Sequence, residues 1–173
     1  MIVRNMTLED LPASIDLQQA GAVSGMAAVF PQDRYPFPRE AMLARWREEL
    51  ADPLIDIYVA VDDVGALIGF AAISGSELVH FGTAIRTWGH GMAGELLGVI
   101  VPRLRMTGAE PTLRVFADNR RARRFYEKHG WRPTGVTSVS GFEPHPILLE
   151  YALPAVLSGG VRATDRTADR RRS

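Results

Sequence analysis

Residues 77–97, ELVHFGTAIRTWGHGMAGELL, constrain this chain more than any other stretch. They read as a β-strand that runs into a glycine-rich turn and then into a helix. That order exposes backbone N–H groups at a helix N-terminus, where they and the helix dipole favour an anion. Gly89, Gly91, Ala93 and Gly94 keep side-chain bulk away from such a ligand and allow unusual backbone angles. The apolar run Leu96, Leu97, Val99, Ile100 and Val101 gives the helix a side to dock on a sheet. A glycine turn by itself is equally an ordinary tight strand-to-helix connection. Nucleotide-binding alternatives lose their key residues: GxxxxGK[ST] does not occur, and GxGxxG with an acidic residue about 20 positions on fits poorly.

What surrounds the stretch narrows the class. At 173 residues and 46% hydrophobic content the chain suits one domain with a sizeable core. Lys+Arg and Asp+Glu number 20 each, so no global field would hold the protein on nucleic acid or an anionic membrane. Without cysteine there is no disulfide framework, thiolate metal site or cysteine nucleophile, which is compatible with a reducing cytoplasm. No signal peptide pattern opens the sequence and no apolar run reaches about 18 residues. The expectation is a soluble cytoplasmic monomer or homodimer.

The remaining elements alternate. Residues 2–4 read as a strand, and Thr7-Leu8-Glu9-Asp10 has the form of a capping box opening a helix that reaches about residue 19. Residues 20–38 form a glycine- and proline-punctuated segment. Its aromatics Phe30, Tyr35 and Phe37 serve either as loop packing or as a substrate wall. A helix follows over residues 39–50, with Met42, Leu43, Trp46 and Leu50 on one face and Arg39, Glu40, Arg47, Glu48 and Glu49 mostly on the other. Residues 57–63 and 66–74 make a hairpin. The helix after the glycine turn runs to about Gly108 and is expected to bend at Pro102. Residues 113–116 give a strand, 119–129 a basic helix stopped by Gly130, and 131–139 and 147–153 the last strands. Residues 156–173 hold little apolar content and read as a disordered tail, which leaves one α/β layered domain over residues 1–155 with a mixed sheet.

A second block carries more information: Asn119-Arg-Arg-Ala-Arg-Arg-Phe-Tyr-Glu-Lys-His-Gly-Trp131, directly after the strand LRVF. It resembles the N-x-x-A-x-x-[FL]-Y-x-x-x-G-[FW] pattern of the GNAT superfamily of N-acetyltransferases, with Asn119, Ala122, Phe125, Tyr126, Gly130 and Trp131 matching. The glycine turn is similar to that family's acyl-CoA pyrophosphate loop, [QR]-x-x-G-x-[GA]. Two registers are available. Read from Arg86 the pattern matches literally but leaves the helix leucines two places late; read from Trp88, Leu96 and Leu97 fall in place and Trp stands for the usual Gln or Arg. The second is preferred. The resemblance covers about residues 2–153. It implies a GNAT fold, a central and largely antiparallel sheet flanked by helices, with a V-shaped opening between strands 78–84 and 113–116 that takes the pantetheine arm of acetyl-CoA.

The resemblance also implies roles. The run Trp88, Gly89, His90, Gly91, Met92, Ala93 and Gly94 would hold the pyrophosphate, and backbone donors of Phe81, Gly82 and Thr83 the pantetheine and acetyl carbonyl, with a bulge expected at Gly82. Asn119 would cap its helix and contact the cofactor, while Ala122 and Phe125 pack in the core. Arg120, Arg121, Arg123 and Arg124 are either solvated or draw in phosphates. Tyr126 would give its proton to the departing thiolate; a phenol near pKa 10 and a thiol near 8.5 differ by ~2 kcal/mol. An alkylammonium must lose a proton before it attacks. Glu77 stands where histone-acetylating members hold a glutamate base, and His80 is the alternative, expected to face away from Glu77 and to border the substrate with Phe30, Tyr35 and Phe37. His90, His129 and His145 form no ligand grouping, so no metal is expected. The implied activity is transfer of an acetyl group to a primary amine, of a small molecule such as a metabolite or antibiotic, without an acetyl-enzyme. A protein N-terminus or lysine is the nearest competitor, and a non-catalytic acyl-CoA sensor is the alternative of another class.

Overall fold

The computed structural model describes residues 1–155; the tail expected over residues 156–173 lies outside the described residues. Seven strands among the described residues form one sheet: β1 (Ile2–Asn5), β2 (Ile55–Val61), β3 (Leu67–Ser74), β4 (Glu77–Thr83), β5 (Thr112–Phe116), β6 (Arg132–Val139) and β7 (Ile147–Ala152). Their order is β1-β2-β3-β4-β5-β7-β6. Short links make β2–β3, β3–β4 and β6–β7 antiparallel hairpins, β1–β2 and β5–β7 are antiparallel through longer connections, and the helical crossover from β4 to β5 makes that one pair parallel. The mixed, largely antiparallel sheet expected from the sequence is the one observed.

Helices α1 (Leu11–Gly25) and α2 (Arg39–Ala51) cover one face, α3 (Met92–Leu104) and α4 (Arg120–Lys128) the other. The first layer packs Leu11, Ile15, Met42 and Trp46 on Ile57, Val59, Phe70 and Ala72. The second packs Leu96, Leu97, Ile100 and Leu104 on Ala71, Ile73, Leu78 and Leu113. Burial of a leucine-sized side chain stabilises by about 1.5–3 kcal/mol, so the pair from α1, the pair from α2 and the four-residue stripe of α3 each help fix a helix on the sheet. The α3 stripe follows the 3.6-residue period, and Pro102 sits inside the helix without ending it. A 3-10 turn, Arg105–Thr107, then leads to Gly108 at φ +76.

Three local differences matter for the site. First, α1 runs to Gly25 and not to about residue 19, because Ala20, Gly21 and Ala22 are small enough for the helix to lie close over the sheet and bury Ala22. Second, Glu49 is buried on the inner flank of α2 and not on its polar face. It follows Trp46 by three residues and Met42 by seven, which is the buried stripe's own period. Third, the irregularity of β4 lies at Val79 and not at Gly82. Ile73 pairs with Leu78 but Ala72 with His80, so Val79 is an extra residue, a β-bulge. Gly82 has another reason to be glycine: an added Cβ would lie 2.5 Å from the Phe70 ring.

The bulge corrects the facing of β4. Opposed residues of an antiparallel pair share a face, so Glu77 lies with Ser74 and His80 with Ala72. Ser74 and Ala72 are two apart on β3, hence Glu77 and His80 face the same side, the α1 and α2 side, against the expectation from simple alternation. Beyond Leu78 the sheet opens. Strands β4 and β5 pair only at Glu77↔Thr112 and Leu78↔Leu113, and then part. No helix among the described residues is long and apolar enough to cross a membrane.

Candidate active site

Where β4 and β5 part, alternate peptide groups of residues 79–83 lose their strand partner and turn N–H and C=O into the gap. The gap is the floor of a cleft of about 570 Å³, lined by Phe81, Gly82 and Thr83 from β4, by Val115 and Phe116 from β5, and by Asn119, Phe125 and Tyr126 around α4. At its outer end stands the glycine turn. Gly89 and Gly91 have φ of +82 and +86, a left-handed conformation that L side chains resist, and an added Cβ at either would meet no atom within 4 Å. Backbone conformation, and not crowding, requires glycine at both. Gly91 caps α3 with no side-chain hydrogen bond, so the first N–H groups of the helix stay open.

The run expected at the turn divides. Trp88, Gly89, Gly91, Ala93 and Gly94 line the cleft. Met92 turns its side chain into the core at 8% exposure while its N–H is among those left open at the start of α3, and the His90 N–H is bonded to the Thr87 carbonyl at 3.2 Å. Gly94 is also required by packing, since an added Cβ would lie 2.9 Å from Nε2 of His129. Trp88 is held from three sides. Its Nε1 donates to the Thr83 carbonyl at 3.0 Å, its ring lies 3.3 Å from a Cβ placed on Gly25, and the Arg121 guanidinium sits 3.4 Å above it. The indole thus fills the corner between α1 and α4, and burial lowers the Arg121 pKa. Arg123 is tied to the Tyr151 hydroxyl and the Ala117 carbonyl, which removes it from the set of free cations expected on α4.

Asn119 caps α4, its Oδ1 accepting from the Ala122 N–H at 3.1 Å. Ala122 and Phe125 are half-buried against the core layer and also line the cleft. Tyr126, one turn on, is 8% exposed, packed by Phe81, Phe125 and Trp131, and burial pushes its phenol well above the ordinary value.

Across β4 lies a second cavity of about 550 Å³ under α1, α2 and the segment between them. Phe30, Tyr35 and Phe37 all line it, Phe30 meeting Phe116 edge-on at 5.1 Å. The two cavities share Gln18, Leu78, Val79, His80, Arg114 and Phe116, so they meet at the bulge. Glu77 is at the closed end of the gap, and Arg114 holds one of its carboxylate oxygens at 2.8 Å. His80 makes the tighter pair. Its Nε2 is 2.7 Å from Oε2 of Glu49, whose Oε1 accepts from Nε of Arg45 at 2.7 Å, and the imidazole stacks on Trp46 at 5.2 Å and 15°. Burial pushes the Glu49 carboxyl up, but the hydrogen bonds and charges of His80 and Arg45 outweigh it and hold the group below its ordinary value.

Sequence reasoning missed Glu49, Arg45, Arg114 and Phe142, the last in the β6–β7 connection over the second cavity. For Glu49 the signal was its place on the buried stripe of α2. Nothing in the sequence marks Arg114 or Phe142, because their approach to the site depends on which strands are neighbours.

The family model of the acetyltransferase (GNAT) family matches residues 23–131. No curated protein matches the chain in sequence. Among solved structures, apo-form YjaB from Escherichia coli superposes with a TM-score of 0.68 at 21% identity, covering 90% of this chain and 100% of its own. The PaiA N-acetyltransferase of Thermoplasma acidophilum, in complex with coenzyme A, gives 0.61 at 20% identity over 86% and 96%. A ribosomal-protein-alanine N-acetyltransferase from Brucella melitensis gives 0.66 at 18% over 88% and 98%. These likenesses establish the fold.

Proposed function

The chain belongs to the GNAT family of acetyltransferases, enzymes that draw on acetyl-CoA, and we propose that it acetylates the primary amine of a small molecule whose body is apolar or aromatic. The observation that carries this reading is the junction of two cavities at the β4 bulge, one floored by open backbone donors and the other walled by aromatics.

The first cavity fits acetyl-CoA. Open N–H groups at the start of α3 and the left-handed glycines suit a pyrophosphate, the cation on Arg121 adds charge, and the free edge of β4 suits the pantetheine and the acetyl carbonyl. Acetyl-CoA supplies an acetyl group already activated as a thioester. The protein's part is to hold that carbonyl against N–H donors, which in comparable sites contribute about 3 kcal/mol each. Tyr126, buried and protonated, sits at the cleft floor to deliver a proton to the leaving sulfur. Asn119 gives its carbonyl oxygen to helix α4 and keeps its amide NH2 for the cofactor.

The second cavity sets the acceptor. The acids on its wall are Glu77, paired with Arg114, and Glu143 in the β6–β7 connection, so the wall offers one open carboxylate and no acidic cluster to a polyamine among the described residues. Phe30, Tyr35, Phe37 and Phe142 suit an apolar body. A thiol-release assay with acetyl-CoA tests this against a panel of arylalkyl monoamines, spermidine and an alanine-ended peptide. Arylalkyl amines are expected to lead in kcat/KM by about 10-fold or more. Preference for spermidine or for the peptide would replace the acceptor class, and acetyl-CoA binding without thiol release to any amine would make the chain a sensor.

A further inference from the structure

We propose that His80 is the base that takes the proton from the acceptor ammonium, with Glu49 as the positioning residue that fixes its tautomer and Arg45 as the group that fixes Glu49. The inference rests on the acetyl-transfer reading above and adds the proton's destination to it.

Geometry supplies the argument. Glu49 is held in its charged form, so the 2.7 Å bond to His80 requires Nε2–H to donate and Oε2 to accept. A neutral imidazole with Nε2 protonated has its lone pair on Nδ1. That nitrogen has no hydrogen-bond partner among the described residues, and His80 lies on the wall common to both cavities. The ring cannot turn freely, because it is stacked on Trp46, whose own Nε1 donates to Gln18 at 2.9 Å. The charged groups facing this region are Glu49 and Arg45 from α2, Glu77 from β4, Arg114 from β5, Arg34 from the segment between α1 and α2 and Glu143 from the β6–β7 connection. Within that set Glu77 and Arg114 hold each other, and Arg45 holds the far oxygen of Glu49. Glu143 lines the second cavity alone, which leaves the imidazole as the base with a nitrogen open to the junction.

The chemistry favours it as well. An alkylammonium near pKa 10.4 gives its proton to an ordinary imidazole near 6.5 against a gradient of about 10⁴, and to an ordinary carboxylate near 4.3 against about 10⁶. In the step itself one N–H bond of the ammonium breaks, its electron pair stays on nitrogen, and the proton adds to Nδ1. The imidazolium so formed lies against the Glu49 carboxylate and later returns the proton to solvent. Glu49 stays ionised throughout, as an orienting carboxylate does beside a catalytic histidine. Simple alternation would set His80 and Glu77 on opposite faces; the extra residue Val79 brings both to one.

The test is the pH dependence of kcat/KM with one amine, measured for wild type, His80→Gln, Glu49→Gln and Glu77→Gln. His80→Gln keeps a donor for Glu49 and is expected to lower kcat/KM by about 10²–10³ at neutral pH, approaching wild type above the amine's own pKa, with acetyl-CoA affinity unchanged. Glu49→Gln removes the charge that favours imidazolium, so the acid limb is expected to move to lower pH by about one unit, a shift that a merely structural role would not produce. Glu77→Gln is expected to retain the limb. Wild-type rates and profile in His80→Gln overturn the proposal, as does loss of the limb in Glu77→Gln. Should His80→Gln not fold, the nitrogen resonances of His80 in the wild-type protein decide: protonation at Nε2 near neutral pH is expected, and protonation at Nδ1 alone overturns it. Failure of the acetyl-transfer reading is distinct, since the wild type would then release no thiol.

Discussion

Tyr126 poses the sharpest question at the scale of single residues, because a phenol whose pKa is raised by burial is a weaker acid. The same surroundings raise the pKa of any thiol whose anion forms beside it, so the gap between donor and acceptor stays near ~2 kcal/mol while both move. Tyr126→Phe removes one oxygen and keeps the ring against Phe81 and Trp131. Its kcat is expected to fall by about 10²–10⁴ with calorimetric acetyl-CoA affinity little changed. Wild-type turnover under conditions where chemistry is rate-limiting would end the acid role. Because the shift is upward, the phenol remains protonated past its ordinary value of 10, and no alkaline loss of wild-type kcat below that pH should trace to Tyr126. Tyr126 and Asn119 were legible through the resemblance of their block to the family pattern. Glu49 was not, since charge placed it on the wet face of α2 whereas periodicity, the stronger signal at that position, puts it three residues past Trp46.

Among the elements, the turn into α3 and the turn into α1 are held by different means. Gly91 sits at φ +86 with open space around it, so Gly91→Ala finds room but adopts a conformation costing about 1–2 kcal/mol. The expected result is a melting temperature lower by a few degrees and acetyl-CoA affinity weakened about 10-fold, as the amides tilt away. Unchanged affinity by calorimetry would remove the loop from the cofactor site. The start of α1 uses charge. Arg4, and then the amide and hydroxyl of Thr7, hold the Asp10 carboxyl down to about 2 from 3.8. A depressed carboxyl stabilises above its unfolded pKa and stops doing so as pH falls through the folded value. Asp10→Asn is therefore expected to lose about 1 kcal/mol at neutral pH, allowing for solvent around Arg4, with the gap to wild type narrowing below pH 3.8 and closing as pH falls through about 2 in chemical denaturation. A gap that persists at low pH would assign the effect to something other than charge. The capping box was readable as Thr7-x-x-Asp10, but the far end of α1 was not: Ala20, Gly21 and Ala22 look like loop residues until a sheet lies beneath them.

Taken as a whole, the sheet is two antiparallel halves joined by the pairs Glu77↔Thr112 and Leu78↔Leu113. A ligand lying along both strands replaces the missing contacts, so binding and rigidity are coupled. At 100 times its dissociation constant acetyl-CoA should add about 2.7 kcal/mol. For a chain of this size that raises the melting temperature by about 5–10 °C, with hydrogen exchange slowed most along residues 79–83 and 112–116. A stabilisation with no slowing on those strands would place the ligand elsewhere. This opening was readable in outline from the two motifs. Of the second cavity only the part walled by Phe30, Tyr35, Phe37 and His80 was readable, because Phe142 and Arg114 reach it only through the β5-β7-β6 order. The bulge at Val79 ties both chambers to one strand, and its effect is one of parity. Up to Leu78 odd positions of β4 belong to the acceptor side; from His80 onward even positions do. Deleting Val79 would remove the extra residue while His80 still opposes Ala72, so Glu77 and His80 would keep to the acceptor side and Phe81 to the other. Inserting one further residue between Leu78 and His80 would do the opposite of that deletion, by slipping every later residue of β4 to the other chamber unless the ladder absorbed it as a wider bulge.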